Sequence, residues 1–287
     1  MAPKFIPCKK EPKFFMPHFP IFTGNVAPFD NANVKRILAE LGQPQQNLKN
    51  VIHVVGTNGK GSTCAFLSSI LKEGGFAVNT YTSPHLYACN ERININGKQI
   101  SDEDLFYFSE KIKHICEKLE ICPTIFESLT IVSILAFEKA GGDYNIFEAG
   151  MGGLNDATNV FEGNVCGVIL TSISFDHTRF LGETLPEITK QKLGVIAGEK
   201  PLVMHPFSGE ALPVILEEIA RIKPIPVFFG RDWNFGKAEL PNGSIKLVFQ
   251  YKEEEQILLE IPPLVGDHQL YNLCAVIAFL YACGLDM

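Results

Sequence analysis

The 287 residues suffice for one large domain or two smaller ones, and 46% hydrophobic with 20% charged residues is an ordinary globular composition. A formal net charge of −7 excludes any general attraction to nucleic acid or anionic lipid, so an anionic ligand must be held by local features. The eight cysteines form no C-x-x-C pair, which leaves a zinc site or redox motif without support, and no apolar run approaches the ~18 residues of a membrane span.

Residues 1–30 read as a loop-like segment. Their start, MAPKFIPCKKEPKFFMPHFP, is basic and rich in proline and phenylalanine but lacks the continuous apolar stretch of a signal peptide. Cysteines inside apolar runs, as in VCGVIL and LCAVIAFLYAC, read as buried free thiols, and the expected compartment is the cytosol. Residues 31–287 form the main unit. It opens with a short helix carrying Val34, Ile37, Leu38 and Leu41 on one face, stopped at Gly42 and Pro44. Strands are expected at 51–56 and 76–83, with the helix STCAFLSSILKEGG between them. NERININGKQIS reads as a hairpin turning at Asn96-Gly97. A capping-box start at Ser101 leads into a helix with Leu105, Phe108, Ile112, Ile115 and Leu119 at helical spacing. A second, nearly all-apolar helix over 127–140 is expected to be buried.

Further strands fit 144–150, 166–173, KPLVMH and IPVFFG, and a helix opens at Thr184 with Glu187 three residues on. Strands alternating with helices indicate a mostly parallel α/β sheet covered on both faces. Residues 231–265 differ: they read as antiparallel strands turning at Asn242-Gly243 and near Glu253. A terminal helix over 268–284 closes at Gly284.

The stretch HVVGTNGKGST (53–63) has the context of a phosphate loop but not its common G-x-x-x-x-G-K-[ST] spacing: the first glycine position is Val54, and Gly61 follows Lys60. Gly56, Gly59 and Gly61 allow close backbone approach, and the following helix start offers unpaired N–H groups to an anion. Lys60 is placed to reach terminal phosphates, and Ser62 or Thr63 to offer a hydroxyl to Mg²⁺. In EAGMGGLNDATN, Glu148 stands at a strand end, where ligands collect in open α/β sheets. It suits either a Mg²⁺ ligand or a capping or arginine-paired carboxylate, and Asp156 and Asn159 add polar contacts. Asp176 and His177 end a further strand, and Ser83 in TYTSPH ends a fourth. A lone histidine reads more often as structural than as a ligand. Four strand ends carrying reactive groups at one edge shift His177 towards a site.

Assembled in order, LGQP, HVVGTNGKGSTCAFL, YTSPHL…NERININGKQIS, TIFE, FEAGMGGLNDATNV, DHTRFLGETLPEITKQKLGVI and GDHQLYN resemble the Mur ligase superfamily. Within it they resemble the folylpolyglutamate synthase / dihydrofolate synthase branch, over roughly 30–287. The resemblance implies an ATP-dependent carboxylate–amine ligase, adding L-glutamate to dihydropteroate or folate through an acyl phosphate. It implies that Asn58, Gly59, Lys60, Gly61, Ser62 and Thr63 hold the ATP phosphates and that Asn272 contacts adenine. It places one Mg²⁺ on Ser83 and Glu148 and a second on Glu148 and His177, with K⁺ as a further cation. Thr124, Phe126, Asp156 and Ala157 fall at the pterin substrate. Lys192 matches a lysine that the family carbamylates; without the resemblance it reads as an ordinary solvated helix lysine. No nucleic-acid or membrane partner is implied, and a monomer is expected.

Three departures stand out: Leu154 replaces the arginine of GGRLDATN, Ser174 a glycine before the Asp-His pair, and Gln191 a glutamate before Lys192. The family's C-terminal domain, which supplies glutamate contacts, is expected to be absent from this chain. An ATP- and pterin-binding module without turnover is therefore the main competing expectation, and a cell-wall Mur ligase the nearest enzymatic rival.

Overall fold

The computed structural model describes residues 30–285, so the loop segment expected over 1–30 lies outside it except for Asp30. Helix α1 (Ala32–Glu40) buries Val34, Ile37 and Leu38 and leads to β1 (Val51–Val55). Helix α2 (Lys60–Glu73) starts inside the glycine-bearing turn, at Lys60, with Gly59 as its N-cap at φ 88°. It returns the chain to β2 (Val78–Tyr81). The hairpin β3 (Ile93–Ile95) and β4 (Lys98–Gln99) turns as expected, since Asn96 and Gly97 hold φ values of 47° and 86°.

Helix α3 (Asp102–Leu119) makes half of its expected capping box: the Asp104 N–H donates to Ser101 Oγ at 3.1 Å. Helix α4 (Ile125–Ala140) begins two residues earlier than 127, because a full box fixes its start. The Thr124 N–H donates to Glu127 Oε2 at 2.6 Å, and the Glu127 N–H donates to Thr124 Oγ1 at 3.2 Å. Strands β5 (Tyr144–Glu148) and β6 (Val165–Leu170) follow, then the short α5 (Thr178–Leu181). Helix α6 (Leu185–Leu193) is capped by the expected Thr184–Glu187 box. Between β7 (Pro201–Met204) and β8 (Ile225–Phe228) runs α7 (Ala211–Ile222), a helix the sequence reading does not assign. Pro213 stands in its first turn, where a missing N–H removes no helical hydrogen bond. The chain closes with β9 (Trp233–Glu239), β10 (Ile245–Tyr251), β11 (Ile257–Leu259) and α8 (His268–Ala282).

The main sheet has the order β4-β3-β2-β5-β1-β6-β7-β8, parallel from β2 to β8, with the hairpin antiparallel at one end. Both faces are covered, and alternation along β1 shows how. Val51 and Val55 join one core with α1, α3, α4 and α7, while Ile52 and Val54 join the other with α2 and α8. The three-stranded sheet β11-β10-β9 sits on the second core. Its buried Phe249 and Tyr251 lie 6.1 and 5.2 Å from the Tyr281 ring of α8.

This order brings β2, β5, β1 and β6 side by side. The four strand ends singled out from the sequence are therefore neighbours on one edge of the sheet.

Candidate active site

The loop between β1 and α2 is splinted by the segment after β6. The Thr57 N–H donates to Ser172 O at 2.7 Å, the Asn58 N–H to Ser172 Oγ at 2.9 Å, and Ser174 N–H to Thr57 Oγ1 at 3.1 Å. Ser174, a departure from the family pattern, thus supports the loop through its backbone. On the other side α8 closes in: a Cβ on Gly59 would lie 2.5 Å from Asn272 Oδ1. Asn272 is buried, and its amide is oriented by donation to Gln269 Oε1 at 3.1 Å. The hydroxyl of Thr63 is committed to Gly59 O at 2.8 Å and the residue is fully buried. Ser62 is the hydroxyl that lines the adjoining cleft.

Two cations converge on this loop. Lys60 Nζ donates to Gly56 O at 3.2 Å and Thr57 O at 3.1 Å, while Lys192 Nζ donates to the same Gly56 O at 3.0 Å. Lys192 is only 2% exposed. Burial, and then the nearby Lys60 charge, pull its ammonium down to a pKa of about 8. Helix lysines are usually solvated, and only tertiary placement of α6 against the loop makes this one an interior group.

Glu148 ends β5 with its side chain buried. Its Oε2 accepts the Ser83 N–H at 3.1 Å. Burial holds its carboxyl above the usual range, opposed by that N–H and by the charges of Lys60 and Arg92. No arginine hydrogen-bonds it among the described residues; the Arg92 charge acts on it without direct contact. A Cβ on Gly61 would stand 3.6 Å from Oε2, so the helix start and the carboxylate approach closely. No group of three or more His, Cys, Asp or Glu side chains poised to hold a metal occurs among the described residues. The donor set nevertheless fits Mg²⁺, which takes one or two protein carboxylates and completes its shell with phosphate and water. Glu148 supplies the buried carboxylate and Ser83 the neighbouring oxygen. His177 lies apart from this pair in its contacts: it is half exposed, at φ 46°, with Nε2 3.5 Å from Asp176 Oδ1.

The 150–159 loop is organised by Asp156. Its Oδ2 accepts the Met151 N–H at 2.7 Å, and its Oδ1 accepts the Thr158 N–H at 2.9 Å and the Thr158 hydroxyl at 2.6 Å. The carboxylate is thus occupied within the loop, and Ala157 is buried beside it. His53, which the sequence reading did not select, lies beneath. Its Nε2 is 3.1 Å from Thr158 Oγ1, its Nδ1 is buried without a partner, and burial lowers its pKa to about 4. With Thr158 Oγ donating to Asp156, Nε2 carries the proton that Thr158 accepts. Phe126 covers the start of the loop, since a Cβ on Gly150 would strike its ring at 2.3 Å. Thr124 caps α4 beneath Phe126. A second residue missed in the sequence is Glu91: its carboxylate gathers the N–H groups of Leu86, Tyr87 and Ala88, at 2.7 to 2.8 Å, and folds the segment after Ser83.

A cleft of about 730 Å³ runs from Asn58, Gly59 and Ser62 to His205, Phe207 and Tyr271. A smaller one of about 420 Å³ lies on the other flank of α2, bordered by Gly61, Ser83 and Glu148. The edge therefore presents a cation pair, a buried carboxylate and a helix start, flanked by two recesses.

The chain is 39% identical over 246 residues to a dihydrofolate synthase/folylpolyglutamate synthase of Bacillus subtilis, covering 83% of this chain and 56% of that protein. A crystal structure of folylpolyglutamate synthase from Thermotoga maritima superposes with a TM-score of 0.81 at 28% identity, over 91% of this chain and 60% of that one. An FPGS–AMPPCP–folate complex gives 0.83 at 30% identity, over 94% and 66%. The chain thus spans a little over half the length of the B. subtilis relative. The family model for the Mur ligase middle domain matches residues 54–280, and the chain belongs to the Mur ligase middle-domain family.

Proposed function

We propose that this chain binds ATP on the β1–α2 loop and serves an ATP-dependent ligase that joins L-glutamate to dihydropteroate or a folate. The observation that carries the reading is the convergence of Lys60 and Lys192 on Gly56 O beside the buried Glu148. Two ammonium groups on one carbonyl repel each other at short range, and a polyphosphate entering the loop relieves that repulsion. The relatives' names supply the substrate class.

In the proposed reaction a carboxylate oxygen of the pteroate or folate attacks the γ-phosphorus of ATP. The bond to ADP breaks, and an acyl phosphate forms. The amine of glutamate then attacks the acyl carbon, phosphate leaves, and the nitrogen loses a proton to give the amide. The loop N–H groups and Lys60 hold the phosphates in line, the largest contribution a positioning site makes to such a step. Glu148 and Ser83 would hold Mg²⁺, with His177 proposed for a second ion; bound Mg²⁺ neutralises phosphate charge. Phe126, Ala157 and the loop ordered by Asp156 are proposed to frame the pterin ring, with Thr124 fixing the helix that carries Phe126.

Lys192 is proposed to accept CO₂. A pKa near 8 leaves a fraction of its amine neutral at physiological pH. That amine can attack CO₂ and release a proton, turning the cation pair into an ion pair. A mass gain of one CO₂ in bicarbonate buffer, absent in Lys192→Met, checks this.

The decisive assay incubates the chain with ATP, Mg²⁺, L-glutamate and either dihydropteroate or tetrahydrofolate, and follows glutamate-dependent phosphate release. Release above background supports the ligase. ATP binding without release leaves the binding-module reading. A cytosolic, monomeric protein is proposed; no described helix is long and apolar enough to cross a membrane.

A further inference from the structure

The end of α8 away from the site packs onto β6 where that strand has no side chain. A Cβ on Gly167 would lie 2.5 Å from the Phe279 ring and 3.0 Å from Pro201 O, so helix and strand approach closely there. One helical turn beyond Phe279, on the same side of the helix, stands Cys283, whose N–H donates to Phe279 O at 3.0 Å. The first turn of α8 lies by Ser172, past the end of β6, so the helix runs against the strand. Its last turn therefore carries Cys283 towards the start of β6, where Cys166 precedes Gly167.

The backbone turns Cys166 to meet it. The pairing of β6 with β1 steps from Val51–Val165 to Ile52–Gly167, which leaves Cys166 as the extra residue of a bulge. Both cysteines are free and partly buried, and both pack against the core that α8 shares with α2. On the other side of the strand Lys200 lies level with Cys166, two residues before the Leu202 that pairs with Val168. Burial, and then the neighbouring Cys283, push the Cys166 thiol up to about 12; burial pushes Cys283 up to about 11, against the pull of Lys200. Such thiols are almost wholly protonated at neutral pH and exchange slowly. A strongly basic sulfur is also a poor leaving group, so a bond between them resists reduction once made.

We infer that Cys166 and Cys283 form an oxidation site, where exchange with a small-molecule disulfide makes a bond that staples the end of α8 to the start of β6. The inference is independent of the ATP reading. The Cys283 thiolate attacks one sulfur of oxidised glutathione and expels a glutathione thiolate. The Cys166 sulfur then attacks the Cys283 sulfur, and the second glutathione leaves. Two cysteines are oxidised, one glutathione disulfide is reduced to two thiols, and the cysteine protons end on the glutathione sulfurs. The staple closes a loop of more than a hundred residues, which restricts the unfolded chain strongly. It also anchors the helix whose other end walls the larger cleft, so the oxidised chain keeps that wall under conditions that loosen the reduced one.

The test incubates the folded full chain with oxidised glutathione, blocks the remaining thiols and maps the unreduced digest by mass spectrometry. The expected product is a linked pair of peptides carrying Cys166 and Cys283. The thermal midpoint of the treated protein is expected to rise by roughly 5–10 °C. Cys166→Ser and Cys283→Ser should each abolish the link and the rise, whereas Cys122→Ser, at the exposed thiol, should keep both. Glutathione adducts or links at other cysteines, with no Cys166–Cys283 peptide, overturn the inference. So does a link that leaves the midpoint unchanged, or a rise that survives in Cys283→Ser. A link that forms only after urea has unfolded the chain overturns it too, since native packing would then not bring the sulfurs together. If neither serine variant folds, the wild-type peptide map and midpoint decide.

Discussion

The edge of the parallel sheet and the small antiparallel sheet handle polar groups in opposite ways. At the edge, Glu148, Asp156, Lys192 and Asn272 are each at most 3% exposed, and the two lysines share a carbonyl acceptor rather than an anion. In β9–β11 the charges stay outside and find partners, as in Lys237 with Asp267 and Lys246 with Glu260, while the buried positions are Trp233, Leu247, Phe249 and Tyr251. One region concentrates unneutralised charge where strands end; the other places neutralised charge along strands that lie over an apolar face. Stability is thus expected to depend most on the second region and ligand binding on the first.

The largest expected effect tests the small sheet. Phe249→Ala empties a buried site against Tyr281 and should cost about 3–5 kcal/mol in urea unfolding. ATP affinity of the folded fraction should hold; a tenfold drop would break the division between regions. Next comes acid. His53 has a pKa lowered from 6.5 to about 4, so it stays neutral in the fold while the unfolded chain takes up its proton. Its contribution is complete above 6.5 and is lost as pH falls towards 4, at most about 3 kcal/mol. Urea midpoints across that range should slope, and His53→Gln should flatten the slope; an undiminished slope would place the acid sensitivity elsewhere. Lys60→Ala should weaken ATP binding about 100-fold, roughly 2.7 kcal/mol, with little change in melting temperature. Unchanged nucleotide affinity would refute the phosphate-loop assignment. The smallest effect is expected from Thr124→Ala, which removes a cap worth about 1 kcal/mol and should move the thermal midpoint by a few degrees.

Much of this was legible in the sequence because the signals are local. The β1–α2 loop declares itself through strand, glycines and lysine within one short stretch, and the Asn96-Gly97 turn and the Thr184–Glu187 box need only neighbouring residues. The sheet order sets the ends of β2, β5 and β1 side by side, so Ser83, Glu148 and Lys60 share one edge, whereas His177 lies beyond the end of β6, half exposed beside Asp176. What local pattern does not carry is which side chains are already occupied. Asp156 spends its carboxylate on its own loop, Thr63 spends its hydroxyl on Gly59, and neither commitment can be read without the fold. Lys192 shares a face of α6 with Leu185, Ile188 and Thr189, but its residue type argues for solvent, and only the packing of the helix decides. His53 lies in an apolar strand and needs Thr158, a hundred residues away, before it has any role. Helix α7 lacks a start signal: its N-cap is Glu210, with no side-chain cap bond, where α6 has its Thr184–Glu187 box.

The approach of Asn272 to Gly59 has a consequence for how the protein is made. The glycine loop leaves the ribosome well before α8, yet one wall of the cleft beside it belongs to that helix. The cleft cannot be complete until α8 has been synthesised and has docked. Under the ATP proposal, a nucleotide bound there ties the β1–α2 loop to α8, favouring the docked arrangement and protecting both segments from proteases.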